Sequence, residues 1–253
     1  MRLVQLLAVL ACALGVAAFL GESSSATASA SSACVSDADG NGYTYAGHQA
    51  NVAGHGVRAT ITPTRALDVA SGHVAGWVGV GGPGQGANGE DAWIQVGIAS
   101  VLGTAPYLYA EVVRDGRQPQ LILLDEGLLT GVSRRVAVLE MSAQPGSWRV
   151  WVDGRPMTKP MHIRGSSGRW APIATAESWN GGESACNKFA FRFERVSVSF
   201  GGGGSWRPFV SGHRFLDTGH RLQSLAEAPA VGGTYTSEPS GQSTLPYAFV
   251  ASS

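Results

Sequence analysis

Charge is scarce in this chain. Of 253 residues only 14% are Asp, Glu, Lys or Arg, and 18 basic side chains balance 18 acidic ones to a formal net charge of zero. A protein that neutralises nucleic-acid phosphates needs a clustered basic excess, so this balance argues against nucleic acid as a partner. Lysine is nearly absent, Lys159 and Lys188 being the only two, a skew that gene composition explains as readily as function. Cysteine is limited to three residues, and the six histidines show neither HxxH nor HExxH spacing. No metal site and no cofactor is therefore expected. A GxSxG elbow is missing, which leaves the scattered serines as turn and surface groups. Between Tyr43 and Phe200 no helical apolar period persists beyond two turns. What is present is glycine, 35 residues of it, with 44% hydrophobic and 8% aromatic content. That is the composition of a folded chain rather than a disordered one, and a chain of this length buries roughly three quarters of its unfolded surface.

The N-terminus reads as an export signal. Arg2 precedes an apolar stretch from Leu3 to Leu20, followed by a Ser/Ala/Thr-rich run and the small-residue triplet Ala28-Ser29-Ala30. This predicts a signal peptide over residues 1–30, a mature N-terminal segment over 31–42 and a secreted, extracellular protein without stable membrane association after cleavage. A retained membrane anchor is the competing reading, because the apolar run is nearly long enough to span a bilayer. Lipidation at Cys12 is disfavoured by an apolar run that continues past it. Cleavage leaves Cys34 and Cys186, an even number in an oxidising compartment, and a disulfide between them is expected, with two unpaired thiols as the alternative.

The remainder alternates short apolar runs with Gly, Pro, Asn and Asp clusters, the pattern of an all-β sandwich or barrel. Expected strands are Val57–Thr62, Val74–Val80, Ala92–Ile98, Tyr107–Val113, Gln120–Leu124, Arg134–Met141, Trp148–Val152, Ile173–Trp179, Phe189–Phe193 and Val196–Phe200. Asp153-Gly154 is a hairpin-turn signal. Large apolar residues fall on odd positions through Phe193 and on even ones from Val196, a phase change that requires a bulge or break near Glu194-Arg195. The domain therefore spans 43–200. The Gly-rich tail, 201–253, holds too many large apolar groups for a solvated linker, and Phe215-Leu216 and Tyr247–Val250 are expected to return to the sheets.

Residues two apart on a strand share a face. Trp93, Gln95 and Gly97 lie opposite Ala92, Ile94, Val96 and Ile98. Tyr107, Tyr109 and Glu111 lie opposite Leu108, Ala110 and Val112. Ile173, Thr175, Glu177 and Trp179 lie opposite Ala174, Ala176 and Ser178, and Trp77 shares its face with His73. A face of Trp, Tyr, Gln and Glu on neighbouring strands suits a binding surface, because aromatics offer area at low entropy cost and a few polar groups fix orientation. Ordinary cross-strand aromatic pairing on a solvated sheet is the alternative.

Four segments, Trp77-Val78-Gly79-Val80-Gly81-Gly82, Trp93-Ile94-Gln95-Val96-Gly97, Tyr107-Leu108-Tyr109-Ala110-Glu111 and Ala176-Glu177-Ser178-Trp179, resemble in order and approximate spacing the glutamic peptidases of the eqolisin family. The resemblance implies a two-sheet antiparallel β-sandwich of the concanavalin or lectin-like type. It also implies Gln95 and Glu177 as catalytic pair, Trp77 and Glu111 at cleft positions and a polypeptide substrate. Trp93, Tyr107, Tyr109 and Trp179 complete the expected binding face of a monomer. Val96 stands where the family usually has a small hydroxyl residue, and Ser178-Trp179-Asn180-Gly181-Gly182 replaces an aromatic beside the Glu and a longer apolar strand.

The chemistry of such a pair follows from elementary requirements. Peptide hydrolysis needs a base for water, an acid for the leaving amine and a donor for the developing oxyanion. An ordinary glutamate, with a pKa of about 4.3, can take a proton and return it in mildly acidic solution. A glutamine amide donates hydrogen bonds at any pH. Two other functions are compatible with the same face. One is a non-catalytic carbohydrate-binding module with Trp77, Trp93, Tyr107, Tyr109 and Trp179 as stacking platforms for glycan. The other is a glycosidase using Glu111 and Glu177, whose carboxyl groups would have to lie ~5–9 Å apart.

Overall fold

The computed structural model describes residues 42–179, 186–225 and 246–253. Among them no residue is helical, and the chain forms two antiparallel sheets. The first contains β1 (Tyr43–Ala50), β3 (His73–Gly82), β4 (Ala92–Val101), β5 (Tyr107–Val113), β6 (Gln120–Asp125), β11 (Pro172–Trp179) and β14 (Gly212–Leu216), in the order β14-β1-β11-β3-β4-β5-β6. The second runs β10-β8-β7-β2-β12-β16-β15. Its members are β2 (Gly56–Pro63), β7 (Arg134–Glu140), β8 (Ser147–Val152), β10 (Met161–His162), β12 (Ala190–Ser199), β15 (Arg221–Ser224) and β16 (Phe249–Ser252), with β9 (Arg155–Pro156) on β8 and β13 (Trp206–Pro208) on β12.

The core lies where the apolar alternation places it. Val74, Val78, Val80, Ile94, Val96, Ile98, Leu108 and Val112 of the first sheet join Val57, Ile61, Val136, Val138, Val150, Phe191, Phe193 and Phe249 of the second in one buried cluster. This is the two-sheet sandwich expected from the strand pattern. Two deeply buried polar groups of the second sheet are matched by partners. The Trp148 indole donates to Ser166 Oγ at 2.7 Å. The carboxylate of Glu140, 1% exposed, accepts from Gly146 N at 2.5 Å and from His55 Nδ1 at 2.6 Å.

The expected phase change is a bulge inside one strand. The pairing of β12 with β2 shifts between Glu194 and Ser197, and Arg195 takes a left-handed φ of 53°, so Phe191 and Phe193 before it and Val196 and Val198 after it all reach the core. Asp153 and Gly154, with φ of 49° and 84°, form the tight turn between β8 and β9. In the tail, Phe215 and Leu216 pair with Gly47 and Ala46 of β1, and Phe249 pairs with Phe193 of β12. The proposed signal peptide and Cys34 of the expected disulfide lie outside the described residues.

β1 was not among the expected strands. Gly47 interrupts its side-chain pattern for a packing reason: a Cβ there would sit 2.5 Å from Ala174 O and from the side chain of Thr175 on the adjacent strand. Close approach to β11 thus requires glycine, and pairing with β11 and β14 on both sides makes the strand despite weak local propensity.

Candidate active site

The strand register arranges the outward face of the first sheet in rows. One row runs Tyr45, Glu177, Ala75, Ala99, Tyr107 across β1, β11, β3, β4 and β5. The next runs Gly47, Thr175, Trp77, Gly97, Tyr109. The third runs Ile173, Gly79, Gln95, Glu111. Small residues at Ala75, Ala99, Gly79 and Gly97 leave a floor between larger walls. Ala75, Trp77, Ala99 and Tyr109 form a second buried apolar cluster, separate from the core, against which Tyr45, Tyr107 and Ile173 pack.

Gln95 and Glu177 therefore share one face. They are two strands apart, and their partners on β3, Gly79 and Ala75, are four residues apart. On an ideal sheet this separates their backbones by about 10 Å across the strands and about 13 Å along them. Their functional groups turn toward the middle row. The Gln95 amide, in a residue 8% exposed, donates from Nε2 to Tyr109 Oη at 3.2 Å. Glu177, 6% exposed, accepts from the Trp77 indole at 2.8 Å on one oxygen and from His73 Nε2 at 3.3 Å on the other. Each thus bonds to a member of the row that holds Trp77, Gly97 and Tyr109: Glu177 to the indole of Trp77, Gln95 to the phenol of Tyr109, with Gly97 between those two.

The remaining expected residues surround this pair. Glu111 is the direct cross-strand neighbour of Gln95 and accepts from the Trp93 indole at 2.8 Å. Burial pushes its pKa above the ordinary value, the Trp93 hydrogen bond pulls it down, and the Glu177 charge adds to the rise. Tyr107 lies edge-on to Tyr109 with ring centroids 6.2 Å apart. Trp179 stands at the open end, stacked on His73 at 5.6 Å and tilted against Tyr43 at 6.3 Å. Burial, and then the charge of Glu177, raises the phenol pKa of Tyr43 to about 12 and that of Tyr109 well above the ordinary value. All these phenols remain protonated in acidic and neutral solution.

Tyr43 and Tyr45 were missed as site residues because β1 was not read as a strand. The alternation Tyr43, Tyr45, Gly47 was the available signal, with the two tyrosine rings stacked at 6.0 Å. His73 was placed on this face, but its bond to Glu177 depends on the pairing of β3 with β11, which spacing does not reveal. Among the described residues no group of three or more His, Cys, Asp or Glu could hold a metal ion.

Gly97 is the most sterically constrained point of the floor. A Cβ there would lie 2.2 Å from Gly76 O and 2.5 Å from Trp77 Cβ. Gly97→Ala is expected to lower stability by about 2 kcal/mol through overpacking, read as a lower urea midpoint with unchanged slope. An unchanged midpoint would mean that β3 moves freely at this position.

No protein-family model and no curated protein sequence matches this chain. Among solved structures, scytalido-glutamic peptidase with a transition-state-analogue inhibitor is similar at 14% identity over 83% of this chain and 97% of that one, with a TM-score of 0.47. SCP-B, a member of the eqolisin family in complex with the tripeptide Ala-Ile-His, is 15% identical over 65% and 82% of the two chains, with a TM-score of 0.40. The carbohydrate-binding module CBM66 from Bacillus subtilis is 10% identical over 56% and 81%, with a TM-score of 0.30. With TM-scores of 0.47 or less for all three, the function of this face rests on its own residues.

Proposed function

We propose that this chain is a secreted, acid-acting endopeptidase that hydrolyses peptide bonds with Gln95 and Glu177. The observation that supports the reading is a buried carboxylate and a buried primary amide on one aromatic-walled face, each bonded to an aromatic side chain of the same row. Indole and imidazole hold the carboxylate, so it is oriented before substrate arrives. Exposed Leu121 and Leu123, in register with Glu111 and Tyr109, extend the wall with apolar surface suited to peptide side chains.

In this mechanism Glu177 removes a proton from water as the water oxygen bonds to the peptide carbonyl carbon. The carbonyl oxygen becomes an oxyanion that accepts a hydrogen bond from the Gln95 amide. Glu177 then returns the proton to the peptide nitrogen, the C–N bond breaks, and a carboxylic acid and an amine leave. Acidity also alters Glu111, whose raised pKa means that it takes up a proton above the ordinary glutamate range. Protonation there removes a negative charge that the face carries at neutral pH.

A second reading has its own observation. Tyr43 and Trp179 are 38% and 37% exposed and form an aromatic rim suited to stacking on a sugar ring. The two readings separate in one experiment: digestion of an unfolded protein across acid to neutral pH, beside retention on a glycan array. The proposal expects cleavage at acidic pH, reduced about 10²- to 10³-fold in Gln95→Ala, the usual loss for an oxyanion donor. Acid-dependent cleavage that is indifferent to this substitution would exclude the pair. Absence of cleavage with saturable glycan retention, lost in Trp179→Ala, would establish the binding module instead.

A further inference from the structure

We infer that Tyr109 is a catalytic residue of this site, its phenol O–H acting with the Gln95 amide as a second hydrogen-bond donor to the oxyanion. The inference rests on the peptidase reading and adds to it a group that an aromatic binding wall would not require.

Three observations carry it. First, the phenol oxygen accepts from Gln95 Nε2 at 3.2 Å, and Tyr109 stands in the same row as Trp77, whose indole holds Glu177. Second, Gly97 is the residue between Tyr109 and Trp77 in the middle row, so the row itself places no side chain between the phenol and the indole that holds Glu177. A substrate carbonyl placed over Gly97 would meet the phenol from one side and water on Glu177 from the other. Third, Tyr109 is only 3% exposed, and its one side-chain hydrogen bond among the described residues is accepted from Gln95, which leaves its own O–H without a protein acceptor there. A hydroxyl that receives a hydrogen bond from an amide N–H must aim its own hydrogen elsewhere, and a buried donor left without an acceptor costs stability. An oxyanion formed during turnover is the acceptor it lacks. The phenol stays neutral throughout, since burial and two nearby carboxylates oppose its ionisation.

The proton balance of the reaction is unchanged. The phenol donates a hydrogen bond and keeps its proton, while Glu177 alone transfers one. The amide N–H already given to Tyr109 polarises the phenol and makes its O–H a better donor. The second N–H of Gln95 remains for the oxyanion.

Tyr109→Phe retains the ring and removes only the hydroxyl. It is expected to lower kcat about 10²-fold with KM nearly unchanged, and to weaken a peptide analogue bearing a tetrahedral hydroxyl by a similar factor while leaving an uncleaved ground-state peptide bound as before. If the phenol merely positioned Gln95, Gln95→Ala combined with Tyr109→Phe would be no slower than Gln95→Ala alone; an independent donor makes the double variant slower again. Unaltered kcat in Tyr109→Phe, or a double variant equal to Gln95→Ala, overturns the inference while leaving Gln95 and Glu177 in place. A wild type that cleaves nothing, with Trp179-dependent glycan retention, overturns the peptidase reading together with it. Near-ultraviolet circular dichroism of Tyr109→Phe is the check that the aromatic packing survives, expected to match the wild type apart from the lost phenol signal.

Discussion

Glu177→Gln is expected to lower peptide cleavage about 10⁴-fold, at the upper end of what one general acid–base group supplies, while the protein remains folded. The substitution is nearly isosteric, and the new carboxamide oxygen can still accept the Trp77 indole N–H that now binds Glu177 at 2.8 Å. The other half of the side chain becomes an NH₂ donor facing His73 Nε2, 3.3 Å from the present carboxylate oxygen. A neutral imidazole can turn an acceptor nitrogen to that donor. Packing thus changes little, but the group can no longer remove a proton from water or return it to the leaving nitrogen. The loss should appear in kcat, with substrate binding retained. An urea midpoint close to that of the wild type would tie the loss to chemistry rather than unfolding. Cleavage by Glu177→Gln at the wild-type rate would show that another group is the base. If the face were a glycan platform, retention on glycan would be indifferent to this change, since the stacking surfaces of Tyr43 and Trp179 are untouched.

The difference between what the sequence made legible and what required the fold is visible in these same residues. Period-two alternation assigned Gln95, Glu111 and Tyr109 to outward faces, because their strands also carry aliphatic sets that must enter the core, and it set Trp77 and Glu177 opposite valines and small residues respectively. Alternation could not supply register. Whether Glu177 stands opposite Ala75 or Trp77 depends on how β11 meets β3 across nearly a hundred intervening residues, and no local signal encodes it. The meeting of Gln95 with Tyr109 likewise depends on the β4 and β5 register, which places Gly97 opposite Tyr109 and Gln95 opposite Glu111. β1 was hidden for another reason. Gly47, His48 and Gln49 carry no apolar alternation, and the strand is dictated by two partners far away in sequence, β11 and β14. The tail was clearer, because Phe215, Leu216 and Phe249 are too apolar to leave in water.

The fold should lose stability as the medium turns acidic, and His48 is expected to account for roughly 3 to 4 kcal/mol of that loss. The residue is 1% exposed, lies edge-on to Phe249 at 4.9 Å, and neither ring nitrogen has a hydrogen-bond partner among the described residues. Burial, and then the Arg214 charge on the adjacent strand, lowers its pKa from 6.5 to about 4. The unfolded chain therefore binds a proton near pH 6.5 that the folded chain accepts only near pH 4, a difference of ~2.5 units at about 1.4 kcal/mol each. The folded pKa is depressed, so this stability is present above pH 6.5 and is lost as pH falls through about 4. His220 acts in the same direction: burial lowers its pKa, and its Nε2 is tied to Thr44 Oγ1 at 2.8 Å on β1. Glu111 opposes both, because its raised pKa favours the folded state in acid and that contribution disappears as pH rises. His48→Leu, which fills a similar volume and needs no partner, should flatten the fall of the urea midpoint between neutral pH and about pH 4. At neutral pH it should be no less stable than the wild type, since two unsatisfied buried nitrogens have been removed. Equal loss of stability in wild type and variant across that range would locate the acid sensitivity elsewhere. On the peptidase proposal, acid destabilisation with His48 as its source would set the lower pH limit of cleavage. His48→Leu should then extend activity to more acidic solution without altering the neutral limb of the profile.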